Sequence, residues 1–173
     1  RVSLGALALL VTLGLRRTGL PRGWTTWRHL VTVGLTFNAI PFLLFAWAQT
    51  HISSILAGIW NATTPLWTVL MALVLVPGTR PTRSVVGGLL LGFVGVVVVL
   101  GPWSLGAQSI DSGFLLGTAA SLAATACYGF AVTYTGKHLA GRRDVRSPAQ
   151  YPAAQLIVAT GALSLVVVPQ GDA

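Results

Sequence analysis

The side chains in this sequence most able to bind a solute lie on one stripe of an apolar stretch. Residues Ile52 to Val76 are twenty-five in number and include no Asp, Glu, Lys or Arg. At about 100° per residue, a set of mostly polar or aromatic side chains falls on one part of a helix surface. They are Ser53, Ala57, Trp60, Asn61, Thr64, Trp67, Thr68 and Met71. Their chemistry is that of uncharged hydrogen bonding, which suits a polar solute or a neighbouring helix.

Prolines add a second signal at the same depth. Pro65 has no N–H to donate to the carbonyl of Asn61, four residues earlier. In the same way, Pro41 has no N–H to donate to the carbonyl of Phe37. We therefore predict that Asn61 has both a free backbone carbonyl and a side-chain carboxamide within the span. Two interpretations stay open: either Asn61 and Trp60 face a solute, or the helix packs inside a bundle and Pro65 is a tolerated kink.

Two further apolar stretches carry polar or aromatic residues on one face. These residues are Asn38, Phe42, Phe45 and Gln49 on one stretch, and Ser121, Thr125 and Tyr128 on the other. Together with the stripe around Asn61 they would line an aromatic, hydrogen-bonding and uncharged cavity. The predicted substrate-binding residues are Asn38, Phe42, Trp60, Asn61, Thr64 and Tyr128. The alternative is that each polar group bonds a neighbouring helix, which would stabilise the protein by about 1 kcal/mol.

Composition decides which solvent these stretches are in. Hydrophobic residues make up 54% of the chain, charged residues 8%, and the mean hydropathy is +0.77. A soluble domain would be near a quarter charged. The net charge of +8 could favour nucleic acid, but the basic residues lie in short loops between apolar runs. We therefore predict the lipid bilayer as a partner, and no nucleic acid.

The elements that must position the polar residues are six predicted transmembrane helices. They run from about Arg1 to Leu15, His29 to Gln49, Ile52 to Val76, Ser84 to Gly101, Gly113 to Thr135, and Pro148 to Val168. Ten of the eleven basic residues lie in the loops after the first, third and fifth helices, which predicts that these loops are cytoplasmic. The fold class is therefore an all-α, polytopic transmembrane helix bundle, with a tight hairpin at Thr50 and His51.

Small residues predict how the helices pack, because helices in lipid associate by close approach. One narrow face is predicted on the fourth helix and a longer ladder on the fifth. The residues are Gly88, Gly92 and Gly95 on the fourth helix, and Gly113, Gly117, Ser121, Thr125 and Gly129 on the fifth.

The sequence carries no pattern typical of an enzyme. Cys127 is the only cysteine, and the three histidines are predicted at helix ends or in the outer hairpin, so a nucleophile would have no histidine at membrane depth to activate it. Glycine-rich phosphate loops and metal-spaced His or Cys clusters are missing. We therefore predict no catalytic residue, no cofactor and no metal.

The order of these pieces resembles the EamA family of the drug/metabolite transporter superfamily. The carrying segments are AWAQTHISSILAGIWNATTPLWTVLMALVLVPGTRPT, the glycine-rich GGLLLGFVGVVVVLG and the opening pair Arg1-Val2. The resemblance implies a fold of ten helices in two inverted repeats, with this chain similar to helices two to seven. It predicts that 1–103 is the end part of the first repeat and 104–173 the start of the second. Thr79 stands where members usually carry a glutamate, and Val2 where they carry an aromatic residue.

What the resemblance implies is transport, with export the favoured direction, of a small metabolite or drug-like solute across a bacterial inner (plasma) membrane. The alternative is a structural or assembly membrane subunit without transport activity. In that case the side chains of the polar stripes would all form hydrogen bonds between helices. A homo-oligomer also stays open. None of the predicted spans contains an acidic residue, so a proton relay on an intramembrane carboxylate is not predicted within them.

Overall fold

A computed structural model describes residues 5, 11, 23–100, 111–140 and 150–167. Within these ranges every regular element is a helix, which confirms the predicted all-α class. The helices are α1 (Trp24–Gly34), a π-helical turn (Leu35–Ala39), α2 (Ile40–Ala48), α3 (Ser54–Asn61), α4 (Thr64–Leu75), α5 (Arg83–Leu100), α6 (Ser112–His138) and α7 (Gln150–Val167). The first predicted span lies outside the described residues, except for Gly5 and Val11.

Three stretches of the described chain are long and apolar enough to cross a membrane. They are Trp24–Ala48, Ser54–Leu75 and Ser112–His138. These match the second, third and fifth predicted spans, and α5 and α7 match the fourth and sixth in position. The predicted membrane helix bundle is thus confirmed at the level of its elements.

The start of the second predicted span is earlier than expected. The helix begins at Trp24, after Gly23 in an extended conformation (φ −81°, ψ 127°), and not at His29. The sequence prediction placed Arg28 in the loop before the span, among the basic residues that mark the cytoplasmic side. A long arginine side chain near a helix end can instead keep its head in the polar interface, so the helix includes it.

The described contacts divide the chain into two compact units, residues 1–39 with 134–173, and residues 40–133. In the first unit, Leu30 and Val33 of α1 are buried. Gly34 allows α1 and α7 to approach closely, since a Cβ at Gly34 would lie 3.0 Å from the Cβ of Val158. The predicted repeat boundary at 103/104 falls outside the described residues and stays a prediction.

The second unit is built on the tight hairpin between α2 and α3. The amide of Ile52 donates to the carbonyl of Ala48 at 2.9 Å, and Ser53 caps α3 by accepting from the amide of Leu56. A hydrophobic core forms around this hairpin from Ala48, Ile52, Leu56, Ala57, Ile59 and Ala120. The predicted antiparallel hairpin is therefore confirmed.

The small-residue ladder of α6 makes the predicted close approach, and its partners are this hairpin and α4. A Cβ at Gly117 would lie 2.8 Å from Cγ2 of Ile52, and a Cβ at Gly129 would lie 2.6 Å from the carbonyl carbon of Trp67. Between them, Ser121 and Thr125 are 0% exposed. The ladder is thus a close contact between helices within the second unit.

We expect Gly129→Ala to lower the melting temperature, because backbone atoms of α4 occupy the space that the methyl group needs. Overpacking of this kind costs about 1 to 3 kcal/mol, which exceeds the gain in helix propensity of at most about 1 kcal/mol. The matched control is Gly136→Ala on the same helix, where a Cβ would meet nothing within 4 Å. Thermal unfolding in detergent is the measurement; equal melting temperatures for the two variants would contradict the close contact.

The glycine face of α5 behaves differently. A Cβ at Gly88, Gly92 or Gly95 would find nothing within 4 Å, and neighbouring Leu91 is 77% exposed. The close approach predicted for this face is therefore not made by any described residue. The reason is that α5 meets the core through another side, where Val97 packs against the hairpin.

Candidate functional site

The second unit contains a helix break within a membrane span. Helix α3 ends at Asn61 and α4 begins at Thr64, with Ala62 and Thr63 in the turn between them. Pro65 lies in the first turn of α4. Proline is well placed at a helix start, since its missing N–H is one that would have no partner there. The proline that predicted a kink therefore marks a break between two helices.

The carbonyl of Asn61 is not free, so that prediction was wrong. The hydroxyl of Thr64 donates to it at 2.7 Å. The hydroxyl of Thr63 donates in the same way to the carbonyl of Trp60, at 2.6 Å. Because no water is available in the hydrocarbon region, such local bonds satisfy backbone groups that the break releases.

A cleft of about 270 Å³ opens beside the break. Its lining residues are Phe45, Gln49, Ser54, Ala57, Gly58, Asn61 and Tyr128, contributed by α2, α3, α6 and the hairpin turn. The structure thus brings together Asn61 and Tyr128, two of the residues that the sequence proposed for a substrate site. Asn61 is exposed, and within the described part of the chain its carboxamide has no hydrogen bond.

The chemistry of the cleft is aromatic and polar without charge. The rings of Phe45 and Tyr128 lie with centroids 6.3 Å apart and planes at 26°. Gln49 and Asn61 each offer a carboxamide, and Oε1 of Gln49 accepts from the hydroxyl of Ser54 at 3.4 Å. None of the lining residues is Asp, Glu, Lys, Arg or His. The arrangement can hydrogen-bond a solute and contact its apolar face, but it holds no cation to balance an anion.

The other predicted site residues lie elsewhere. Trp60 packs against the hydrophobic core, and its Nε1 is buried without a hydrogen bond from the described residues. Thr64 uses its hydroxyl proton on the backbone of Asn61. Phe42 is 56% exposed and outside the cleft lining, and Asn38 lies in the π-helical turn of the first unit. Their role in substrate binding stays a prediction.

Two lining residues of α3, Ser54 and Gly58, were missed by the sequence interpretation, whereas Ala57 was part of the predicted stripe. Ser54, Ala57 and Gly58 face the cleft with Asn61, and the spacing of Ser54, Gly58 and Asn61 is that of one helix face. The predicted stripe includes Ser53 in place of Ser54, and the side-chain oxygen of Ser53 is used as the cap of α3. The signal that could have found them is the pair of small residues one turn before Asn61, since small residues leave room for a solute.

Comparison with known proteins identifies the family. A family model described as the EamA-like transporter family matches residues 1–101. This range holds every lining residue of the cleft except Tyr128. No curated protein and no solved structure matches the chain significantly. The match and the three long apolar helices indicate an integral membrane protein of the transporter class. Since the match covers more than half of the 173 residues, the chain belongs to the EamA-like transporter family.

Proposed function

We propose that the protein transports a small polar solute across the membrane and binds it in the cleft beside Asn61. The observation that carries this proposal is the position of one carboxamide. Asn61 ends a helix at a break within a membrane span, lines a cleft of about 270 Å³, and has no hydrogen bond from the described residues.

The energetics of the membrane support a solute or water as the partner of that carboxamide. A polar group in hydrocarbon is costly unless it is bonded, so polar side chains within spans face protein, water or a ligand. Interrupted helices at membrane depth are tolerated where they line a cavity, and transporters bind their substrates at such interruptions. The break at Ala62 and Thr63 has this form.

The lining restricts the class of solute. Carboxamides of Gln49 and Asn61 can each donate and accept, while Phe45 and Tyr128 offer aromatic surface. Without a cationic side chain in the lining, an anion would lose its hydration and gain no opposite charge. The proposed substrate is therefore a small polar solute without net negative charge. Export across a bacterial plasma membrane is part of the proposal and rests on the family resemblance alone.

A structural subunit is the competing function, and part of the polar stripe favours it. The hydroxyl of Thr63 lies 3.4 Å from that of Thr125, and Thr133 donates to the carbonyl of Thr68 at 3.2 Å. This polar contact and this hydrogen bond join α6 to the turn and to α4, so this part of the stripe holds helices together. Asn61 is the residue that distinguishes the two functions.

The test is a melting-temperature screen of the detergent-purified protein against neutral, cationic and anionic solutes of matched size. We expect at least one neutral or cationic polar solute to raise the melting temperature, because a ligand that binds only the folded state stabilises it. Flux of the best binder is then measured in proteoliposomes. Absence of stabilisation by any solute, or flux equal to that of protein-free vesicles, would count against transport.

A further inference from the structure

The lining of the cleft beside Asn61 has an order that follows from the antiparallel hairpin of α2 and α3. Gln49 and Ser54 come together at the hairpin, where the hydroxyl of Ser54 lies 3.4 Å from Oε1 of Gln49. Phe45 is four residues before Gln49, and the amide of Gln49 donates to the carbonyl of Phe45 at 3.0 Å, so this turn is helical. Gly58 is four residues after Ser54 on α3. Phe45 and Gly58 are therefore both about one helical turn from the hairpin.

Asn61 lies at the inner end of this order. It is seven residues after Ser54 on α3. At a rise of about 1.5 Å per residue, this places Asn61 about 10 Å along the helix axis from the hairpin end of the cleft. Because Ser54–Leu75 is long and apolar enough to cross a membrane, the cleft runs inward from one end of that span. The two carboxamides of the lining, those of Gln49 and Asn61, are thus at opposite ends of the cleft.

The middle of the cleft is lined by aromatic and small side chains. The ring of Phe45 lies there, and the ring of Tyr128 is beside it, with centroids 6.3 Å apart and planes at 26°. On α3 the lining residues at this depth are Ala57 and Gly58, and a Cβ placed on Gly58 would meet nothing within 4 Å. The small residues leave room for a solute beside the helix, and aromatic rings favour contact with a planar group. The middle of the cleft therefore suits a flat, apolar part of a solute.

The two ends of the cleft offer hydrogen bonds that the middle does not. Among the described residues, the carboxamide nitrogen of Gln49 has no hydrogen-bond partner, and neither atom of the Asn61 carboxamide has one. Each end therefore has N–H groups for an acceptor of the solute, and Asn61 can also accept. An unpaired polar group at membrane depth is costly. A solute that bonds at both ends is thus favoured over one that bonds at a single end.

We propose that the substrate is an uncharged, elongated solute with a hydrogen-bonding group at each end and a planar, apolar group between them. This inference rests on the proposed function and narrows it from small polar solutes in general. One polar end bonds Gln49 at the hairpin, the other bonds Asn61 at the helix break, and the planar group lies between Gly58 and the two aromatic rings. The cleft of about 270 Å³ is smaller than the roughly 300 to 1,000 Å³ typical of sites for drug-sized ligands, which suits a solute with one ring.

The test uses three neutral probes that differ in one feature each. In para-acetamidobenzamide a polar group lies at each end of one ring, whereas benzamide has the ring with a single polar end, and adipamide has two polar ends without a ring. Apparent affinities are measured by titration of the melting temperature of the detergent-purified protein. We expect para-acetamidobenzamide to bind about tenfold or more tightly than either of the other two, because only this probe satisfies both ends and the middle of the cleft.

Two variants locate the ends of the bound probe. Gln49→Leu and Asn61→Leu are each expected to lower the preference for para-acetamidobenzamide over benzamide by about tenfold, because one bonded end is lost while the ring contact stays. The preference is a ratio of two affinities in the same variant, so a change in the stability of the free protein does not alter it. Gln155→Leu, on α7 and outside the cleft lining, is the matched control and should keep the preference.

The outcomes separate this inference from the proposed function. Equal affinity of para-acetamidobenzamide and benzamide overturns the requirement for two polar ends, and equal affinity of adipamide overturns the planar middle. A preference that is unchanged in Gln49→Leu or in Asn61→Leu, or that is lost equally in Gln155→Leu, also overturns the inference. If none of the three probes binds but another solute of the wider screen does, the inference fails and the proposed function stands. If no solute of either set stabilises the protein, both fail.

Discussion

Gly58→Leu is expected to abolish solute binding in the cleft while the protein stays folded. Gly58 lines the cleft one turn before Asn61, and a Cβ placed on it would meet nothing within 4 Å. The Cβ of a leucine therefore fits without a clash, and the rest of its side chain is expected to occupy the space that the solute needs. It should even favour the helix, since leucine is a better helix former than glycine by somewhat under 1 kcal/mol. We expect the apparent affinity to fall by about a hundredfold or more, equivalent to about 2.8 kcal/mol.

The matched control for this variant is Gly88→Leu on α5. Gly88 is also exposed, and a Cβ there would also meet nothing within 4 Å, but it is not part of the cleft. Affinity is measured by titration of the melting temperature with the best solute of the screen. Unchanged affinity in Gly58→Leu, with normal melting of the free protein, would move the binding site away from this cleft. An equal loss in Gly88→Leu would remove the argument from local geometry.

The sequence predicted the position of the helix break correctly, but it did not predict the hydrogen bonds at the break. Pro65 and Asn61 mark its position by simple rules of backbone hydrogen bonding. That Thr64 would satisfy the carbonyl of Asn61 could not be read from the sequence. A threonine hydroxyl can bond to its own helix, to a neighbouring helix or to a solute, and the choice depends on its rotamer and on the local turn.

The glycine faces of α5 and α6 show the limit of small-residue patterns. Both helices carry small residues at helical spacing, yet only α6 is pressed against neighbouring backbone, at Gly117 and Gly129. A pattern of small residues shows that a helix is able to approach another closely, because no side chain prevents it. Which helix approaches depends on the tertiary fold. The sequence therefore predicted the face but not its partner.

The cleft was predicted in part for a similar reason. Side chains on a regular helix are about 100° apart per residue, and this spacing correctly associated Phe45 of α2 with Gln49 of the hairpin turn. The same helical spacing also placed Asn38 on this face, but the π-helical turn Leu35–Ala39 interrupts the regular spacing there. Pro41 follows this turn, and a proline is a common cause of such irregularity. The proline is visible in the sequence, whereas the π-helical turn is seen only in the structure.

Asn61→Leu is the substitution that separates a transporter from a structural subunit. If the carboxamide binds the solute, leucine leaves a polar group of the solute unpaired, which costs about 1 to 3 kcal/mol. The apparent affinity should then fall about tenfold or more. The melting temperature of the free protein should change little, since Asn61 is exposed, its side chain has no hydrogen bond from the described residues, and leucine is well tolerated in lipid. Both quantities come from one solute titration of thermal unfolding.

Thr63→Val supplies the reciprocal control for this experiment. Thr63 is buried, donates to the carbonyl of Trp60 at 2.6 Å and lies 3.4 Å from the hydroxyl of Thr125. Its loss should lower the melting temperature, because the bond from this buried hydroxyl to the carbonyl of Trp60 and the polar contact with Thr125 are both lost, and should leave affinity unchanged. Asn61→Leu is thus expected to lower the affinity for the solute, and Thr63→Val is expected to lower the melting temperature. If Asn61→Leu instead behaves like Thr63→Val, with lower stability and wild-type affinity, then Asn61 holds helices together and the cleft is not the solute site.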